Sequence, residues 1–312
     1  MITFLNSISA VALILVIASF GYLAGKLGWL GPETKKFIVK MLNNVAVPCL
    51  CVKNLLGDVS LDMFSQAGPL LLAALISISF TLALGLLLAK LLKIPHRRYG
   101  GFVAMCAFSN SIFVGYPMCI ELFGEAAVPY IMMFYIVNTA LFWTVGEILI
   151  RRSGETENKS FSLSGCMRGM LTPPLIALVI CAALLAMDFK APSFVLSLCT
   201  YMGGLVTPLA LIYIGYLIYE TGIKNIKLTR DMWAVMLVRF VAAPVSMLLL
   251  CRWFSIEGIA RGVNVIEAGM PIMIQSVVLA SAMGADDAYN AVGMSVTTAA
   301  CFVVVPLLML IV

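Results

Sequence analysis

From Gln66 to Lys90 the chain reads QAGPLLLAALISISFTLALGLLLAK, and its only charge is the last residue. A helix of roughly 20 residues crosses a hydrocarbon core of about 30 Å. In lipid such a segment must satisfy its own backbone groups, which a helix does within itself. Ten stretches of this kind fit the chain, at 6–26, 35–54, 66–90, 98–118, 126–150, 167–187, 193–219, 230–251, 258–281 and 287–311. Hydrophobic residues make up 62% of the 312 and charged residues 11%, too few charges to cover a soluble domain. The apolar–polar alternation of membrane β-strands is missing. The opening MITFLNSISAVALILVIASFGYLAGKLG has no basic leader and too long an apolar core for a cleaved signal peptide, so it reads as the first span. The expected fold is an all-α polytopic membrane protein.

Cations sort along this pattern. With the N-terminus outside, the inner side holds Lys26, Lys35, Lys36, Lys40, Lys90, Lys93, Arg97, Arg98, Arg151, Arg152, Lys159, Arg168, Lys224, Lys227 and Arg230. The outer side holds Lys53, Lys190, Arg252 and Arg261, with the acids Asp58, Asp62, Glu121 and Glu125. The positive-inside rule then places both termini outside a plasma (inner) membrane. Membrane sidedness explains these cations without a nucleic-acid partner.

The polar stretch RRSGETENKSFSLSG is the natural linker between halves. It divides the chain into a first five-helix repeat (1–150), a cytoplasmic linker (151–166) and a second repeat (167–312). Its Asn158–Ser160 sequon faces the cytoplasm, where it is not glycosylated. An odd number of spans in each half forces opposite topologies, so the halves are expected to be inverted repeats. Asn-x4-Gly-x-Pro occurs as Asn110, Gly115, Pro117 and again as Asn264, Gly269, Pro271, with Glu121 and Gln275 four residues beyond each proline. NVAVP (44–48) and GLVTP (204–208) form a weaker echo.

Proline lacks an N–H and clashes with the preceding turn. At Pro117 it is expected to free the carbonyl of Phe113, and at Pro271 that of Glu267. Inverted repeats with interrupted helices mark many secondary transporters, whose sites lie near the midplane at the interruptions. Two facing breaks gather carbonyls, N–H groups and helix ends into a polar pocket for an anion or a cation. Asn110 and Asn264 supply donors and acceptors that suit a carboxylate or a hydrated ion. The competing view is that each proline only kinks its helix and each asparagine bonds a neighbour.

SNSIFVGYPMCIELFG resembles the fourth-span signature of the auxin efflux carrier family, which includes malate and malonate permeases, and GMPIMIQSVVLASAMG resembles its ninth span. The resemblance implies a fold similar to that of sodium–bile acid symporters. In it, broken spans four and nine cross within a core of spans 3–5 and 8–10, and spans 1, 2, 6 and 7 form a scaffold. It implies elevator-like motion of core against scaffold and a homodimer through the scaffold. The short linker favours a bacterial-type member over the plant carriers. Carried over residue by residue, the motif gives Asn110, Gly115, Pro117, Asn264, Gly269 and Pro271 as substrate-binding positions.

Arg239 lies nine residues after Arg230, about 13 Å along a helix and near the midplane. A charge at that depth needs a partner or water. Either it attracts an anionic substrate, or it pairs structurally with Glu267, one turn before Pro271. In the first case Glu267 carries a coupling proton. Asn138, Thr139, Ser295, Thr297 and Thr298 extend a polar lining or bond neighbouring helices. Glu121, Gln275, Asn138 and Glu267 are the candidate coupling or lining residues. The nine cysteines mostly lie in apolar stretches without a CxxC, and His96 is alone among cations, so no metal site is expected. No P-loop or dinucleotide fingerprint appears, and no catalytic constellation or cofactor is expected. The expected function is secondary transport of a small organic anion, coupled to H⁺ or Na⁺ or uncoupled. A channel for small anions, a symporter of another small solute, and an intramembrane enzyme or sensor are the alternatives.

Overall fold

The structure is a computed structural model that describes residues 2–57, 67–154, 171–187, 189–222 and 229–312. Asp58, Asp62, most of the 151–166 linker with its sequon, Arg168, Lys224 and Lys227 lie outside the described residues. The described chain is helical, with one isolated antiparallel bridge between Ser109 and Ile272.

The first half begins with α1 (Ile2–Lys26), α2 (Pro32–Met41), a π turn (Leu42–Ala46) and α3 (Val47–Gly57). It continues with α4 (Ala67–Leu91), α5 (His96–Ala107), a π turn (Ser111–Gly115) and α6 (Tyr116–Phe123). A 3-10 turn (Glu125–Ala127), α7 (Val128–Leu141), a π turn (Phe142–Gly146) and α8 (Glu147–Arg152) complete it. The second half holds α9 (Pro173–Ala186), α10 (Ser193–Gly203), α11 (Val206–Thr221), α12 (Arg230–Leu237), a π turn (Val238–Ala242) and α13 (Ala243–Trp253). It ends with α14 (Gly258–Ala268), α15 (Ile274–Met283) and α16 (Asp287–Leu308). Among the described residues, five runs are long and apolar enough to cross a membrane: Ala67–Leu91, Glu125–Arg152, Ser193–Glu220, Arg230–Trp253 and Asp287–Leu308.

Local chemistry sets many boundaries. Prolines sit in the first turns of α2 and α9, where the missing N–H has no helical partner to lose, whereas Pro117, Pro129 and Pro244 follow directly on the π or 3-10 turns that run into α6, α7 and α13. Asp286 caps α16 by accepting from Tyr289 N (2.9 Å), and it pairs with Arg98 at 2.7 Å. The two echo motifs distort their helices differently: 44–48 overlaps a π turn, whereas 204–208 begins in the gap between α10 and α11.

Two groups of helices pack separately. In one, α1 lies along α11, and α3 lies along α9 and α10. The α1–α11 contact is close because Gly21 faces the carbonyl of Ile212 and Gly215 faces that of Ala18, with no room for a Cβ at either. In the other group, α4 packs on α5, α7 and α13, α5 on α8, α13 on α14, and α15 on α16. The groups meet where α1 and α11 touch α6 and α16. A second link is the Lys53–Glu125 ion pair at 2.6 Å.

Candidate functional site

The site is built where two helices stop. α5 ends at Ala107 and Phe108 is extended (φ −105°, ψ 132°). α14 ends at Ala268, and Met273 is extended (φ −68°, ψ 128°) before α15 begins. The two short extended segments run antiparallel against each other. Asn110 N donates to Pro271 O (2.8 Å) and Met273 N donates to Phe108 O (3.2 Å). Backbone groups that a membrane helix would satisfy internally are thus satisfied across the crossing.

Side chains complete the stitching. The Asn138 amide embraces Ser109, donating to its carbonyl (2.8 Å) and accepting from its N–H (3.1 Å). Thr297 Oγ1 accepts from Ile272 N at 3.3 Å on the other side. Asn110 caps the next helical run by accepting from Phe113 N at 3.3 Å.

Arg239, on the π turn 238–242, is 1% exposed and reaches the C-terminal ends of both interrupted helices. Nη1 donates to Ala107 O (3.0 Å) and Cys106 O (3.4 Å) at the end of α5. Nη2 donates to Ala268 O (2.8 Å), Met270 O (2.8 Å) and Ser109 Oγ (2.7 Å), and Nε donates to Met270 O (3.2 Å). A fixed cation therefore sits at the negative ends of two helix dipoles. Among the described residues no ion pair joins it to Glu267, so of the two readings of Arg239 the structural pairing with Glu267 is not formed. The rigid guanidinium fork matches the converging carbonyls better than a single carboxylate would.

Glu267 points elsewhere. Its carboxyl is fully buried against Gly115, where an added Cβ would collide with both oxygens. Oε1 accepts from Cys119 Sγ at 3.7 Å, and Oε2 has no hydrogen-bond partner.

The matching Asn-x4-Gly-x-Pro spacings do not occupy matching places. Ala107 and Ala268 end the first half-helices, Ser109 and Ile272 form the bridge, and Ser111 and Ile274 open the second half-helices. Asn110 is accordingly a cap beside the break, while Asn264 lies inside α14 and donates to Ala260 O on its own helix (2.8 Å). Pro271 lies in its break, but Pro117 lies beyond one, in the first turn of α6. The expected release of the Phe113 carbonyl at a break is thus misplaced, because the chain already breaks at 108–110 and rewinds through a π turn. The Glu267 carbonyl is likewise not free, since Met270 N donates to it at 3.2 Å.

A small cleft of about 10 Å³, near the size of one water, adjoins the crossing. It is lined by Asn110, Ile274, Met294, Ser295, Thr298 and, from α11, Ile214, Leu217 and Ile218. Of the sequence candidates, the crossing gathers Asn110, Pro271, Asn138 and Arg239, with the Gly115–Glu267 contact beside it. Gly269 is buried against Leu308 and Pro244, Gln275 is half-buried, and Glu121 is exposed. Cys119 and the α11 aliphatics escaped sequence reasoning. A cysteine in an apolar stretch carries no mark of a thiol facing a carboxyl, and aliphatic lining looks like lipid-facing surface.

The family model described as "Membrane transport protein" matches residues 6–309. An uncharacterized transporter of Methanocaldococcus jannaschii is 23% identical over 304 residues, covering 95% of this chain and 96% of that protein. An uncharacterized transporter of Methanothermobacter thermautotrophicus is 24% identical over 280 residues, covering 89% of each. With its apolar membrane-length helices and a match over nearly its whole length, the chain belongs to the membrane transport protein family, the auxin efflux carrier family that its fourth and ninth apolar segments resemble.

Proposed function

We propose that the protein is a secondary transporter of a small organic anion, a carboxylate, which binds at the crossing. One observation carries the reading. Arg239 occupies the C-terminal, negative ends of α5 and α14, so the polarity left toward the cleft is that of the opposite ends. Asn110 and Ile274, at the starts of the two second half-helices, both line that cleft. Backbone N–H groups at such starts, helped by an asparagine amide, favour a carboxylate. In this reading Arg239 supports the site by holding its frame.

The helix packing supports ten spans in two inverted repeats. Exchanging the halves turns the α1–α11 contact into the α9–α3 contact and leaves the α4–α13 contact in place. The α1, α3, α9, α10, α11 group corresponds to the scaffold and the remaining helices to a moving core. The cleft has room for about one water, so a carboxylate of several heavy atoms needs the core to shift against α11. The stitched crossing favours such alternating access over a channel, and unitary currents in bilayer recordings would support the channel instead. No cofactor is needed. Assembly as a homodimer through the scaffold, in the plasma membrane, completes the reading.

The test is a panel of dicarboxylates, monocarboxylates and indole acids, scored by thermal stabilisation and proteoliposome uptake. For the acid that responds, Asn110→Ala weakens affinity by about 1–3 kcal/mol while elution stays monodisperse. Unchanged affinity places the site elsewhere.

Orientation is tested on a cysteine-free background. Ser153 is unsuitable for labelling, being 2% exposed and bonded to Gly100 N at 2.7 Å. A cysteine at Glu33 reacts only with reagents that enter the cell, and one at Met187, 78% exposed, reacts from outside. The opposite pattern inverts the topology.

A further inference from the structure

The Glu267 carboxyl is the one acidic group buried at the crossing without a cation on it among the described residues. It is 0% exposed, and Arg239, the nearby cation, spends its donors on five backbone and hydroxyl oxygens instead. A carboxylate buried without a partner is costly, so such groups bind a cation or take up a proton. Space decides between the two. The carboxyl lies so close to Gly115 that a methyl group there would overlap both oxygens, so no metal ion fits on that side, and among the described residues no group of three or more His, Cys, Asp or Glu side chains could hold one. A proton needs no such room.

The surroundings supply both halves of a protonated carboxyl's hydrogen bonding. Oε1 accepts from Cys119 Sγ (3.7 Å). Oε2 and the Ser111 hydroxyl are both buried without a hydrogen-bond partner, and Ser111 lies within reach of the Glu267 carboxyl, so an O–H on the carboxyl has an acceptor at hand. Ser111 follows Asn110, which lines the cleft. An anion bound at Asn110 and an ionised Glu267 are then two negative charges at close range in a low dielectric, and they disfavour each other. The charged and titratable groups that face Glu267 are Cys119 from α6 and Arg239 from the π turn before α13.

We propose that Glu267 is a proton-binding site that couples anion transport to the proton gradient, with the proton on Oε2 directed at Ser111 when the crossing is packed. This rests on the transport reading above. Binding of the proton removes the repulsion and admits the anion, and by reciprocity the bound anion holds the proton.

Infrared spectroscopy of the purified protein tests the proton directly, and labelled malate in proteoliposomes tests the coupling. At neutral pH the wild type is expected to show the carbonyl stretch of a protonated carboxylic acid, and Glu267→Gln to lack it. Cys119→Ala, which removes the donor to Oε1, is expected to shift that band, so the assignment survives if the Gln variant does not fold. A band that is absent, or that neither variant changes, overturns the proposal. So does a carboxylate signal that responds to added sodium. In vesicles, a pH gradient is expected to raise malate uptake in the wild type at least tenfold over counterflow alone, and Glu267→Gln is expected to abolish that ratio. A ratio preserved in the Gln variant overturns coupling through this residue. Absence of wild-type malate counterflow counts against malate as the carried anion, while the infrared result still decides the proton site.

Discussion

Arg239→Met is expected to lower stability by about 1–3 kcal/mol for a buried acceptor left without its donor, and by more as several acceptors lose it together. The carbonyls of Cys106, Ala107, Ala268 and Met270 and the Ser109 hydroxyl all lose their donor in a site that is closed to water. Total stabilities of folded domains are only about 5–15 kcal/mol, so the variant sits at the edge of folding. Arg239→Lys keeps the charge but offers one compact ammonium where a fork bridges two helix ends, and it is expected to recover only part of the loss. Adding Glu267→Met does not restore stability, since the two side chains are not an ion pair. Melting curves of the two single variants and the double decide the matter. A lysine variant that melts like the wild type but has lost substrate affinity would show that Arg239 binds substrate.

Gly215→Ala is expected to be the next most damaging change. The new Cβ would overlap the Ala18 carbonyl, and Gly21→Ala would overlap the Ile212 carbonyl. Backbone cannot turn aside as a flexible side chain can, so α1 and α11 must separate along their contact. Overpacking of this kind costs about 1–3 kcal/mol, sometimes more. Gly68→Ala is the control: it sits in α4 with open space around its Cβ, and the substitution is expected to be neutral or slightly stabilising. The comparison is made by melting temperature in one detergent. A Gly215→Ala variant as stable as Gly68→Ala would mean that the two helices are not held at this distance.

The legible part of this protein was whatever hydrophobicity and punctuation encode. Apolar length located the five runs that are long enough to cross a membrane, and Gly and Pro beside Asn marked the two neighbourhoods of the crossing. The depth of Arg239 announced that it needed partners. Which partners was not legible, because backbone carbonyls at a helix end have no side-chain signature. The paired Asn-x4-Gly-x-Pro spacing led to the right neighbourhoods in the wrong register. Proline fits behind a π turn as readily as in a break, so Pro117 and Pro271 perform different tasks under one pattern. Asn138 and Thr297 read equally well as glue or as lining. Only the facing of two strands shows that both hold the central residues Ser109 and Ile272.

The clamp around Arg239 also imposes an order on biosynthesis. The broken end of α5 emerges from the ribosome more than a hundred residues before the side chain that satisfies it. At about 5–20 residues per second, that interval is on the order of ten seconds. Throughout it the Cys106 and Ala107 carbonyls have neither Arg239 nor the strand of the second half to lean on. The helices α1–α8 are therefore an unfinished object when they enter the bilayer, and only the arrival of the second half closes their centre.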